Sequence, residues 1–213
     1  MNGRFITFEG NEGSGKSTQI QLLAERLRAL GRTVRTLREP GGTLIGEEIR
    51  HTLKHSHDNH AMTAEAELLL MNASRAQLVR EIIRPALAAG EFVLCDRFYD
   101  STTVYQGYGR QLDLRQVEAV IDFAVGSTRP DLTLLLLVPL SVSEARRQSR
   151  NDLAPVRDRI EEAGRDFFQR VEHGYAAIAS ADPVRIRTID ASQEPNAVHQ
   201  TIWNTVLPLI EAL

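Results

Sequence analysis

Eight consecutive residues, Gly10-Asn11-Glu12-Gly13-Ser14-Gly15-Lys16-Ser17, fit the pattern G-x-x-x-x-G-K-[ST] in full. Glycines in such a loop let successive backbone N–H groups point inward with no Cβ in the way, forming a nest for anions. A helix opening at the lysine adds partial positive charge from its N-terminus. Lys16 can then reach the outer phosphates of a nucleoside triphosphate, the Ser17 hydroxyl suits Mg²⁺, and Thr18 follows on the first helical turn. The loop makes this a nucleotide site without naming a reaction. GTPases, ATP-driven motors and small-molecule kinases all use it. Neither lysine of the chain lies in the guanine-reading N-K-x-D, and a motor would normally be larger.

A kinase needs a second anion site for its acceptor. Two further groups of residues offer one. Arg38-Glu39-Pro40-Gly41-Gly42-Thr43 follows the second predicted strand, and Asp96-Arg97 follows the third. In a parallel sheet both emerge at the carboxyl edge, beside the phosphate loop. Arg38 and Arg97 can grip an acceptor phosphate as planar forks. Asp96 is placed like the acid that holds Mg²⁺ or its water.

The elements that must position these groups are legible from periodicity. Phe5–Phe8, Thr33–Leu37, Phe92–Cys95, Leu132–Val138 and Val184–Ile189 read as short, nearly all-apolar strands. Between them, Gln19–Leu30, Ala64–Ala88, Leu114–Val125, Ser141–Arg150, Ile160–Ser180 and Pro195–Leu213 read as helices. Strand then helix, repeated along the chain, predicts an α/β protein with a parallel sheet covered on both faces. No internal repeat or linker divides residues 1–213, so one domain is expected. The run His55–His60 reads as a solvated polar loop rather than a metal site.

Composition removes several classes. A net charge of -3 argues against non-specific nucleic-acid binding. The lone Cys95 allows no internal disulfide, and no apolar run is long enough to span a bilayer, so a cytoplasmic protein is expected. Of the 25 basic residues, 23 are Arg and only Lys16 and Lys54 are Lys. Coding bias accounts for the excess. Lys16 sits where a compact ammonium enters a crowded glycine cradle and a guanidinium would not fit. Lys54, closing a helix before the His-rich turn, reads as a surface residue.

Taken in order and spacing, Gly10–Ser17, Arg38–Thr43, Asp96-Arg97, Tyr105-Gln106-Gly107 and Asp158-Arg159-Ile160-Glu161 resemble bacterial thymidylate kinases, over essentially the whole chain. The resemblance implies the P-loop NTP hydrolase fold, a five-stranded parallel sheet flanked by helices. It also implies phosphoryl transfer from ATP to dTMP with Mg²⁺, and a homodimer. It assigns Arg75 to the thymine, Thr102 and Gln106 to the nucleoside pocket, and Tyr105 to the sugar, where crowding disfavours a 2′-hydroxyl. Pro40 and Met71 join the acceptor site, Met71 at a position where the family usually stacks a Phe. The phosphate loop holds no basic residue besides Lys16, so the arginine bridging the phosphoryl groups is expected in a lid at 146–159. Arg150 is the choice for the transition state and Arg146 for packing on adenine. Glu12, a carboxylate beside phosphates, is expected to orient the lid or the sugar. Two alternatives stay open: a related kinase with another acceptor, such as dUMP, CMP or a deoxynucleoside, and an ATP-binding switch.

Overall fold

The computed structural model describes residues 3–56, 59–139, 142–143, 159–160 and 163–211. Five strands, β1 (Arg4–Glu9), β2 (Val34–Arg38), β3 (Phe92–Asp96), β4 (Leu132–Leu137) and β5 (Ile186–Asp190), form one sheet in the order β2-β3-β1-β4-β5. Every neighbouring pair is parallel. The helices are α1 (Lys16–Ala29), α2 (Leu44–Lys54), α3 (Ala64–Leu78), α4 (Arg84–Ala88), α5 (Tyr99–Thr102), α6 (Leu114–Val125), α7 (Arg165–Ala181) and α8 (Pro195–Glu211).

Side chains alternate across the sheet with period two. Ile6, Phe8, Leu94, Leu134 and Leu136 face α1 and α8, meeting Leu23, Leu27, Ile202 and Val206. Phe5, Val93 and Cys95 face the other way, onto Leu78, Ile83, Val117 and Ile121. Two apolar faces on the inner strands require helices on both sides, since each buried Leu, Ile or Phe contributes about 1.5–3 kcal/mol. The outer strand β2 departs from the all-apolar expectation: Arg35, Thr36 and Arg38 are exposed because an edge strand has a neighbour on one side only.

The predicted helix Ala64–Ala88 is continuous but not uniform. It widens to π geometry over Val79–Ile83 and returns to α at Arg84. Pro85 has no N–H to offer the carbonyl four residues back, and its ring would clash there, so the wider turn absorbs the mismatch. Residues 99–109 are also helical, as α5 and then a π segment at Thr103–Gly109. The predicted helix Ser141–Arg150 and most of the expected lid lie outside the described residues.

Candidate active site

Among the described residues, Gly10–Ser17, Arg38, Asp96 and Arg97 emerge at the carboxyl edge of the sheet. β1 runs directly into the loop, where Gly10, Gly13 and Gly15 hold positive φ angles of 129°, 81° and 90°. A Cβ on Gly10 would collide with the Leu136 carbonyl of β4, so this glycine is required by close approach as well as by φ. The Lys16 ammonium donates to the Gly10 and Asn11 carbonyls, both at 3.1 Å. Burial, then the nearby Arg97 charge, lowers its pKa to about 8, against the pull of Asp96, Glu12 and Glu9. Ser14 Oγ and Asn11 Oδ1 are buried in the loop with no hydrogen-bond partner among the described residues. An unpartnered buried hydroxyl inside a nest of N–H groups fits a phosphate oxygen.

Along the loop runs a trough of about 1590 Å³. Glu12 to Thr18, Arg38, Asp96 and Arg97 line it, as predicted, and so do Arg50 and Lys54, which were not. Ser17 Oγ donates to Asp96 Oδ2 at 3.2 Å, bringing together the two oxygens named for Mg²⁺. The Arg38 fork is held by Glu47 at 2.9 Å and by the Pro40 carbonyl.

The trough opens into a second, mostly apolar pocket. Pro40, Met71, Arg75, Arg97, Thr102, Tyr105 and Gln106 all line it, so the expected acceptor residues converge except Arg38, which stays in the trough. Arg75 comes from α3 with a nearly fully buried side chain. Nε bonds Glu39, one terminal nitrogen bonds Asn72 and Thr102, and the other bonds the Phe98 carbonyl and Glu39 at 2.7 Å. All five guanidinium hydrogens therefore have protein partners. The Gln106 amide nitrogen donates to the buried Glu67 at 2.9 Å. Because a carboxylate only accepts, that bond fixes which end of the amide is committed. Phe168 of α7 also lines this pocket, placing an aromatic ring in a site where Met71 occupies the position expected of one.

Arg97 adopts a left-handed backbone at φ 69°, an uncommon state for a side chain of this size and one that marks functional positions. Its guanidinium bonds Ser101, Tyr175 and Tyr105 at 3.0, 3.2 and 3.3 Å, and its carbon lies 5.0 Å from the Tyr105 ring centroid. Beneath it lies Glu9, which sequence reasoning did not single out. Its carboxylate accepts from the Phe98 and Ser101 amides at 2.8 and 3.3 Å, and from the Ser101 and Tyr175 hydroxyls at 2.6 and 3.0 Å. Burial first, then the Asp100 charge, push this carboxyl's pKa up, while Arg97 and the hydrogen bonds oppose them.

Arg146 and Arg150 lie outside the described residues. Arg159, at the far end of the expected lid, pairs with Glu67 and bonds the Met62 carbonyl at 2.6 Å, so it is anchored to the α3 side of the site. Lys54 is half-buried and lines both cavities, which corrects its reading as a surface residue.

A phosphate loop on a parallel sheet, with a trough leading into a mostly apolar pocket, defines a nucleotide-binding enzyme of the P-loop class. A sequence model of the thymidylate kinase family matches residues 8–202, and the chain belongs to that family. It is 50% identical over 206 residues to a thymidylate kinase of Alcanivorax borkumensis, covering 97% of each chain. It is 49% identical over 208 residues to one of Pseudomonas savastanoi pv. phaseolicola, covering 98% of this chain and 96% of the other. The crystal structure of thymidylate kinase from Ehrlichia chaffeensis superposes with a TM-score of 0.78 at 33% identity, over 97% of this chain and 100% of that one.

Proposed function

We infer that this chain transfers the terminal phosphoryl group of ATP to dTMP, giving ADP and dTDP on the route to dTTP. The observation carrying this reading is the continuity of the two cavities. The phosphate trough passes into the pocket lined by Met71, Arg75, Thr102, Tyr105 and Gln106, with Arg97 on the border.

The reaction needs no catalytic base, because the attacking atom is an oxygen of a phosphate that is mostly dianionic at neutral pH, with a second pKa of about 6. The obstacle is bringing two polyanions into line. Lys16 and the loop amides hold the donor phosphates. Arg97, braced by Glu9, Ser101 and Tyr175, holds the acceptor phosphate, with Arg38 on the trough wall beside it. Ser17 and Asp96 supply the hard oxygen ligands Mg²⁺ prefers, and the ion when bound neutralises charge on the donor phosphates. Arg75 fixes Thr102 and the pocket floor, so any contact with thymine shares a hydrogen already engaged. Gln106, with its nitrogen committed to Glu67, offers its oxygen to the thymine N3–H. Tyr105 faces the sugar, and Met71 with Phe168 encloses the base.

The resemblance puts a lid at residues 146–159, of which only Arg159 is among the described residues. Arg150 is its candidate for the bridging charge, Arg146 for adenine and Glu12 for orienting the lid or the sugar. Arginine contacts of this kind contribute about 10³–10⁵ in rate. Arg150→Ala should therefore lower kcat far more than it raises either KM; a pure KM effect would move the role elsewhere. A homodimer is supported by Leu69 of α3 and Phe123 of α6, 58% and 86% exposed on helices that pack together. Sedimentation of the purified protein tests it. Among the described residues no helix is long and apolar enough to cross a membrane.

The deciding assay combines purified protein, Mg-ATP and a panel of dTMP, dUMP, CMP and thymidine, with products followed. Rapid ATP consumption with dTMP and slow loss without it are expected. Acceptor-independent ATP loss would return the chain to the class of switches, and preference for another acceptor would change the substrate.

A further inference from the structure

The second lysine has a place in the site. Glu47, Arg50 and Lys54 follow one another at i, i+3 and i+7 along α2, so they share one helix face. That face is turned to the phosphate trough: Glu47 bonds Arg38 at 2.9 Å and the Gly42 amide at 2.7 Å, and Arg50 bonds the Pro40 carbonyl at 2.9 Å. Lys54, one turn beyond Arg50, is carried on the same face to the mouth of the inner pocket. Glu12, Glu39, Lys54 and Arg97 line both the trough and the pocket. Two of these four are acids. An acceptor bound by its nucleoside in the pocket, with its phosphate turned to the donor, must set that phosphate on this border.

We propose that Lys54 is a substrate-binding residue that contacts the acceptor's phosphate from the side opposite the β3 end, pairing with Arg97. This rests on the reading of the chain as a nucleoside monophosphate kinase. The charge at the border calls for such a cation. A dianion entering beside Glu12 is repelled by it, Glu39 is engaged by Arg75, and Arg97 is already shared among Ser101, Tyr105 and Tyr175. A long, flexible stem ending in a compact ammonium reaches past the Arg50 turn without the width of a guanidinium. In a chain with 23 Arg, both lysines then serve the same reaction, one on each phosphate. The competing role is structural: a cation in the last turn of α2 also favours the helix dipole.

The two roles separate when dTMP and thymidine are compared, because these ligands differ only by the phosphate. Titration calorimetry should show Lys54→Met weakening dTMP binding by about ten-fold, the scale of one lost charge-assisted hydrogen bond. Thymidine binding should change by less than about two-fold on the same basis. Lys54→Arg should restore part of the lost dTMP affinity, and the melting temperature of Lys54→Met should stay close to the parent's. Equal weakening of dTMP and thymidine, or no change in either, would overturn the proposal. A fall in melting temperature with unchanged ligand binding would assign Lys54 to the helix end instead. If the parent protein prefers another monophosphate, the dTMP reading fails separately, and that monophosphate with its nucleoside decides Lys54 in the same way.

Discussion

The Arg75 guanidinium and the Glu39 carboxylate form an ion pair at 2.7 Å in which the side chains are 2% and 3% exposed. Glu39 belongs to the loop after β2 and Arg75 to α3, so the pair joins the two walls of the acceptor pocket. Burial pushes the Glu39 carboxyl up, and Arg75 is the charge that opposes it. Removing Arg75 leaves a buried carboxylate unpaired, which costs about 3–5 kcal/mol.

Arg75→Met should therefore lower the urea midpoint strongly, and adding Glu39→Gln should recover part of the loss. The sign with pH follows from linkage. In the single variant the folded Glu39 pKa rises still further above its unfolded value of 4.5, so the folded state holds a proton that the unfolded state releases as pH rises. The deficit should be larger at pH 8 than at pH 5, as read from paired denaturation curves.

Lys16 gives the opposite case. Its folded pKa of about 8 lies below its ordinary 10.5, so the unfolded chain binds more protons between those values and this group's contribution to stability rises with pH there. Binding of a polyphosphate should draw the proton back. Calorimetry near pH 9 in buffers of different ionisation enthalpy should register proton uptake with ATP, and ATP affinity should fall as pH rises through about 8. Lys16→Met should abolish the uptake; an unchanged uptake would mean the proton goes elsewhere.

Glu9→Gln should act through Arg97. The carboxylate accepts four hydrogen bonds, and an amide presents donors to half of them. Expected is a rise in dTMP KM of about ten-fold or more with a smaller change in ATP KM. An equal effect on both substrates would show that Glu9 merely supports the fold.

Gly10→Ala combines a left-handed φ with a collision against Leu136. Backbone strain of this kind costs about 1–3 kcal/mol. The expected result is a lower melting temperature together with loss of ATP binding, measured by calorimetry. Intact ATP binding would mean the loop tolerates displacement from β4.

Much of this was legible in the sequence because the same glycines, arginines and strand ends carry both geometry and chemistry. The phosphate loop fixed the place of β1 and α1, and nearly all-apolar strands alternating with amphipathic helices fixed the layers. The segment 99–109 was not legible as helix because it is buried nearly all round, with Val104, Tyr105, Gln106, Gly107 and Gly109 inside, so no amphipathic stripe marks it. Glu9 left no signal, since its partners Phe98, Ser101 and Tyr175 are distant in sequence. Lys54 was misread because a lone cation at a helix end looks solvated until the fold shows what that end faces. The Pro85 irregularity was visible as a residue, but a proline can equally end or kink a helix, so the π turn at Val79–Ile83 was not legible.

The Glu9–Tyr175 hydrogen bond spans 166 residues. A growing polypeptide contains β1 and the phosphate loop long before α7 is made. Until then Glu9 and Arg97 lack one of their shared partners, and the acceptor phosphate has no finished seat. The tyrosine that completes the hydrogen-bond set of Glu9 and Arg97 is thus supplied by one of the last helices to be made.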